Sequence, residues 1–152
     1  MAAYFFDSSA LVKRYVAERG SAEVTRLVDP RGGNESCICE VAIVEVMAAM
    51  ARRGRRGEIE TETLNAAIGE FRAEVNSIFY VVSVNRRLID RAAELAESLA
   101  LRAYDAIQLA SALEVQEVGF AAGINVTLVS SDQELNDAAT RMGIVVIDPN
   151  TA

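Results

Sequence analysis

Five short apolar runs, residues 3–6, 36–39, 79–84, 126–129 and 144–147, constrain this chain more than any other feature. Each is separated from the next by one or two stretches with the period of a helix, over about 10–19, 22–28, 40–53, 58–76, 86–100, 101–117 and 133–142. Strands that take turns with helices cannot close as hairpins. They predict a parallel α/β sheet of about five short strands, with helices on both faces. At 152 residues and 51% hydrophobic content, the expectation is one domain spanning 1–152 with a sizeable core. In such a sheet, ligands bind outside the carboxyl ends of the strands. The acids at those ends are therefore the first residues to weigh.

Asp7 directly follows the first strand, and Asp132 follows the fourth after two serines. Each has a purely structural reading. Asp7 can be the N-cap of the next helix, a role Ser8 or Ser9 would also fill. Ser131 and Glu134 have capping-box spacing, so Asp132 need not cap at all. Asp105 falls in the first turn of the helix L-R-A-Y-D-A-I-Q-L-A-S-A-L, residues 101–113. There it either complements the helix dipole or serves a site. Asp105, Gln108 and Ser111 recur every three positions and form one polar stripe. Glu45 is the sole polar residue in V-A-I-V-E-V-M-A-A-M-A, residues 41–51. A helix apolar all round is expected to be buried, and a buried carboxylate needs a proton, a cation or a metal. Arg52, two turns on, offers a structural salt bridge; site duty is the reading preferred here.

If the helices carrying them begin at the same sheet edge, Asp7, Glu45, Asp105 and Asp132 converge. Four like charges so close raise each other's pKa unless something neutralises them. The chain has no histidine, which excludes a Ser-His-Asp triad, a Cys-His pair and a histidine-bound zinc. Oxygen donors select a hard cation, Mg²⁺ or Mn²⁺. Ions held by a few carboxylates and waters commonly activate water against a phosphodiester. Cys37 and Cys39 read as small buried residues of a reducing compartment, too splayed along a strand to bridge. No apolar run approaches a membrane span, and Asp7 arrives too early for a signal peptide. A cytoplasmic protein is expected. The net charge of −7 argues against a nonspecific nucleic-acid coat, but not against acids in a cleft with arginines on its rim. Arg52, Arg53, Arg55 and Arg56 are the candidates for that rim, and equally a dipole-complementing helix stop.

Four segments in order, Y-F-F-D-S-S-A-L-V-K, V-E-V, L-R-A-Y-D-A-I-Q-L-A and V-S-S-D-Q-E-L, resemble the PIN-domain family. Their order and spacing are most similar to the VapC-type toxins of toxin–antitoxin pairs, and the resemblance spans nearly the whole chain. It implies a Mg²⁺- or Mn²⁺-dependent endoribonuclease whose acidic quartet falls on Asp7, Glu45, Asp105 and Asp132. It further implies a hydroxyl supporting the metal–water network at Ser8 or Ser9, a homodimer, and an antitoxin protein whose tail enters the cleft. Cys39 stands where Ser or Thr often opens the second-strand helix, a departure that removes no acid. A haloacid-dehalogenase-type phosphatase would need an Asp where Ser9 stands, and a receiver would need an acidic pair where Asp7 stands alone. A PIN nuclease outside a toxin–antitoxin pair, and an inactive PIN binding module, are the remaining alternatives.

Overall fold

The structure, a computed structural model, describes residues 1–152. Its strands are β1 (Ala3–Phe6), β2 (Glu35–Cys39), β3 (Phe79–Val82), β4 (Val126–Val129) and β5 (Val145–Ile147). All pair in parallel, in the order β3-β2-β1-β4-β5. The helices are α1 (Ser8–Tyr15), α2 (Ser21–Val28), α3 (Glu40–Arg55), α4 (Thr61–Val75), α5 (Arg86–Leu99), α6 (Ala103–Ala121) and α7 (Gln133–Arg141). A 3₁₀ turn covers Pro30–Gly32. No helix is long and apolar enough to cross a membrane.

Strand β1 is central and covered on both sides, which is why it reads as a continuous apolar run rather than an alternating one. Phe5 packs with Cys37, Leu128, Leu109 and Leu135, under α5, α6 and α7. Phe6 packs the other way, with Ile38, Leu11, Val46, Met50 and Phe71, under α1 to α4. Both rings are fully buried. Truncating either to alanine would cost about 3–5 kcal/mol. Two apolar cores thus clamp the sheet and hold its carboxyl edge in place.

The chain order makes that edge a site. After β1 the chain builds β2 and β3 on one side, then returns to add β4 and β5 on the other. The loops leaving β1 and β4 therefore diverge, and a crevice opens between neighbouring strands whose last residues, Phe6 and Val129, are in register. Asp7 follows the first of these directly, and Asp132 follows the second after two serines.

Element boundaries differ from the sequence expectation where packing outweighs local signals. Helix α3 continues through Gly54 because the Leu64 side chain lies against it; a Cβ there would stand 2.5 Å from Leu64 Cδ2. The turn comes instead at Gly57, where φ is +73°. Helix α6 runs past the expected 117 to Ala121, and its Gly119 lets the returning chain pass close, with the Ile124 carbonyl 2.9 Å from where a Cβ would sit. The expectation that α3 is buried all round is corrected. Ala42, Val46 and Met50 are buried, but Val44 is 68% exposed. An all-apolar stretch shows only that no face needs water, not that every face is covered.

Candidate metal centre

Asp7 caps α1. Its Oδ1 accepts the Ala10 amide at 3.0 Å and the Ser9 hydroxyl at 2.7 Å, and its Oδ2 accepts the same hydroxyl at 2.9 Å. The residue is only 4% exposed. Burial is the main cause that pushes its carboxyl up to about 7; the Ser9, Ala10 and Ser130 groups oppose the shift, and the charge of Asp132 adds to it. Asp132 caps α7, accepting the Leu135 amide on Oδ1 at 3.1 Å. So Asp132, rather than Ser131, is the cap. Each acid is thereby fixed by a helix N-terminus whose dipole favours its charge.

The hydroxyls between them tie the two loops together. Ser9 Oγ accepts the Ser131 amide at 3.0 Å, and Ser130 Oγ accepts the Asp132 amide at 3.1 Å. Asn136 Nδ2 donates to the Ser130 carbonyl at 2.9 Å, which anchors the β4 turn onto α7. This lattice crosses the crevice between β1 and β4.

Glu45 joins from α3. Its Oε1 accepts the Ser8 hydroxyl at 2.6 Å and Gln108 Nε2 at 2.9 Å. Gln108, 2% exposed on α6, also donates to Ser8 Oγ at 3.0 Å. The amide orientation follows from chemistry: the flipped form would set its oxygen against a carboxylate. Glu45 is half-buried and makes no ion pair with Arg52. The desolvated acid of the site is Asp7, not Glu45.

Asp105, half-buried in the first turn of α6, has its carboxyl raised first by burial, then by Asp132, with Glu45 and Glu134 adding and Arg102 opposing. Asp132 thus acts electrostatically on both Asp7 and Asp105, and Glu45 on Asp105. The four sequence-predicted acids share one field at one sheet edge. They do not close into a ready cage: no three His, Cys, Asp or Glu side chains stand together at ligand distances. The donor set nonetheless fits a hard cation. Every donor is an oxygen, Gln108 Oε1 adds a buried oxygen without a partner, and Mg²⁺ commonly takes only one or two carboxylates and keeps waters.

Similarity to known proteins identifies the family. The family profile described as the PIN domain matches residues 4–140. The chain belongs to the PIN-domain family. Among curated proteins, this PIN domain is 33% identical to Ribonuclease VapC46 of Mycobacterium tuberculosis over 150 residues, covering 99% of this chain and all of the relative. It is 32% identical to Ribonuclease VapC49 of the same organism over 123 residues, 79% of this chain and 81% of that one. Among solved structures, PAE2754 from Pyrobaculum aerophilum superposes with a TM-score of 0.63 at 23% identity, covering 95% of this chain and 83% of that one. A toxin–antitoxin complex from Klebsiella pneumoniae gives 0.61 at 17% identity, with 96% and 97% covered. These last two speak for the fold.

The resemblance implied one supporting hydroxyl, at Ser8 or Ser9. The structure of this PIN domain separates them: Ser8 serves Glu45, and Ser9 serves Asp7 and the β4 loop. Gln108 was visible only as a member of a polar stripe; its spacing of three from Asp105 is the signal that both face one site. The arginine run sits apart. Arg53 pairs with Glu18 at 2.5 Å, while Arg52, Arg55 and Arg56 have no carboxylate partner. Arg52 lies seven residues beyond Glu45, about 10 Å along the helix.

Proposed function

We propose that this chain is a divalent-metal-dependent endoribonuclease and the toxin of a type II toxin–antitoxin pair, acting in the cytoplasm as one domain over 1–152. The observation that carries the reading is the convergence of Asp7 and Asp132 at the β1/β4 crevice with Asp105 and Glu45 beside them, in a family whose relatives here are named ribonucleases. Asp7, Asp105 and Asp132 would hold the cation, with Glu45 as a further or water-mediated ligand. A Mg²⁺ or Mn²⁺ ion bound there would make water acidic enough to attack and neutralise charge on the phosphate.

The chain's own contribution is positioning. Helix caps fix Asp7 and Asp132 before any ligand arrives. Ser8 and Gln108 orient the Glu45 carboxylate, leaving Oε2 free to accept a proton from an attacking water. In the hydrolysis, the water oxygen bonds to phosphorus, one ester P–O bond breaks, and the departing oxygen takes up a proton. Two partners follow from the same reading. An antitoxin is supported by the fold neighbour from Klebsiella pneumoniae, which is a toxin–antitoxin complex. A second copy is supported by the exposed Val44 beside half-buried Ile43 and Met47 on α3.

The test is cleavage of single-stranded RNA by the purified chain in Mn²⁺, in EDTA, and by Asp105→Asn in Mn²⁺. Cleavage should occur in the first case alone, with the variant retaining a cooperative melt. Equal cleavage in EDTA, or by a folded Asp105→Asn protein, refutes the reading.

A further inference from the structure

An RNA strand approaching this site meets a problem of charge. Asp7, Glu45, Asp105 and Asp132 gather at the crevice of a chain whose net charge is −7. One bound divalent ion offsets only part of that, and the phosphodiester brings a further negative charge. Some cation of the protein has to face the strand, and the arginine run on α3 begins about two turns beyond Glu45. The position of Arg102 answers this need.

Arg102 is the N-cap residue of α6, three residues before Asp105, and makes no side-chain capping bond. Its Nε stands 3.9 Å from Asp105 Oδ2. Its Nη2 stands 3.8 Å from Glu134 Oε2, in the first turn of α7. No other Lys or Arg approaches any of the four site acids within 4.0 Å. Both distances are too long for hydrogen bonds, so the guanidinium leans on the acids through their field and all its N–H donors remain unspent. The side chain is 78% exposed. Compare Arg14, which spends two donors on Glu74 at 2.6 and 2.8 Å and is nearly buried. Arg14 is structural; Arg102 is a cation held at the mouth of the site with its bonding capacity in reserve. A guanidinium with a free fork matches two phosphate oxygens.

We infer that Arg102 receives a backbone phosphate of the RNA strand at the mouth of the acid site and sets the strand's register there. The inference rests on the nuclease reading above. It makes Arg102 a positioning residue: it anchors the strand in the ground state and takes no part in proton transfer. A bound divalent ion would take over the neutralisation of Asp105, and the guanidinium would then turn to the incoming phosphate.

The experiment compares wild type, Arg102→Gln and Arg102→Lys. Cleavage of a mixed-sequence single-stranded RNA pool is followed in Mn²⁺, and binding of the same pool is followed by anisotropy in Ca²⁺ across a salt series. Arg102→Gln should raise KM about tenfold, leave kcat within about threefold, and flatten the slope of log K against log salt by about 0.7, the share of one phosphate on a single strand. Arg102→Lys should restore the salt slope and only part of the affinity, because it keeps the charge and loses the fork. The side chain is exposed, so all three proteins should melt alike. If Arg102 merely balances Asp105, Arg102→Gln will instead tighten Mn²⁺ binding and leave KM and the salt slope unchanged, which overturns the inference. A wild-type protein that neither cuts nor binds the pool brings down the nuclease reading itself. Cutting and binding by wild type, with Arg102→Gln indistinguishable from it, bring down only the role of Arg102.

Discussion

Substituting Asp7 by Asn should make the metal-free protein more stable at neutral pH, although Asp7 is hydrogen-bonded and caps a helix. The folded carboxyl titrates near 7 against an ordinary value of 3.8, chiefly because it is buried. Between those two values the unfolded chain has released its proton and the folded chain has not. Stability is therefore complete below about pH 4, falls as pH rises, and levels off above about 7. The full difference corresponds to ~4 kcal/mol. Asn keeps the volume and remains a good N-cap for the Ala10 amide, but gives up ~0.3–1 kcal/mol of charge–dipole attraction. The net expectation is a gain of about 3 kcal/mol at pH 7.5 in EDTA, or roughly 6–12 °C in Tm for a chain of this size. Below pH 4 the two proteins should melt together. Mn²⁺ should raise wild type much more than the variant, because it stabilises the form that binds it. The assay is a set of melting curves from acid to pH 8, with EDTA and with Mn²⁺. A variant that melts at or below wild type across the whole range in EDTA would show that Asp7 is a plain structural cap with no stored cost.

Gln108→Leu removes two donors from Ser8 and Glu45 but also removes the unpartnered Oε1, so thermal stability should fall by no more than about 2 kcal/mol. Cleavage should drop at least tenfold through loss of Glu45 orientation; a Gln108→Leu protein with wild-type kcat would remove Gln108 from the site. Replacing Arg52, Arg55 and Arg56 together by Gln should leave kcat on a short RNA unchanged, since none of the three pairs with a site acid and all lie well beyond Glu45, at the end of α3 or on its C-cap. It should weaken binding only of longer RNA or of an antitoxin, and loss of cleavage of the shortest substrate would place the run in the site instead.

The fold was legible because its signals are short-range. Alternating strands and helices leave few topologies, and each of the five strands appears within two residues of where its apolar run lies. What the sequence hid is what depends on neighbours far along the chain. Gly54 reads as a helix stop until Leu64 packs against it. Val44 reads as core until one sees that α3 has more apolar faces than the protein has core to cover them. Arg102 is inconspicuous in sequence because its meaning comes from Glu134, 32 residues later, and from the crevice that brings α6 and α7 together.

Each acid of the candidate site was visible in the sequence, where a structural and a chemical role stood as alternatives. In Asp132 the two roles are compatible. Its Oδ1 takes the Leu135 amide, so the side chain is locked by one oxygen while Oδ2 accepts no hydrogen bond. If Asp132 is a metal ligand as proposed, capping would hold it in place before an ion arrives. Asp7 carries the arrangement further. The single Ser9 hydroxyl proton is shared between its two oxygens, the Ala10 amide donates to Oδ1, and burial still drives its carboxyl toward the neutral form. A divalent ion at this crevice would therefore compete with a proton for Asp7, so occupancy should rise steeply with pH through the neutral range. An acid that only capped α1 would be better served by solvent than by a position where it is 4% exposed and feels the charge of Asp132.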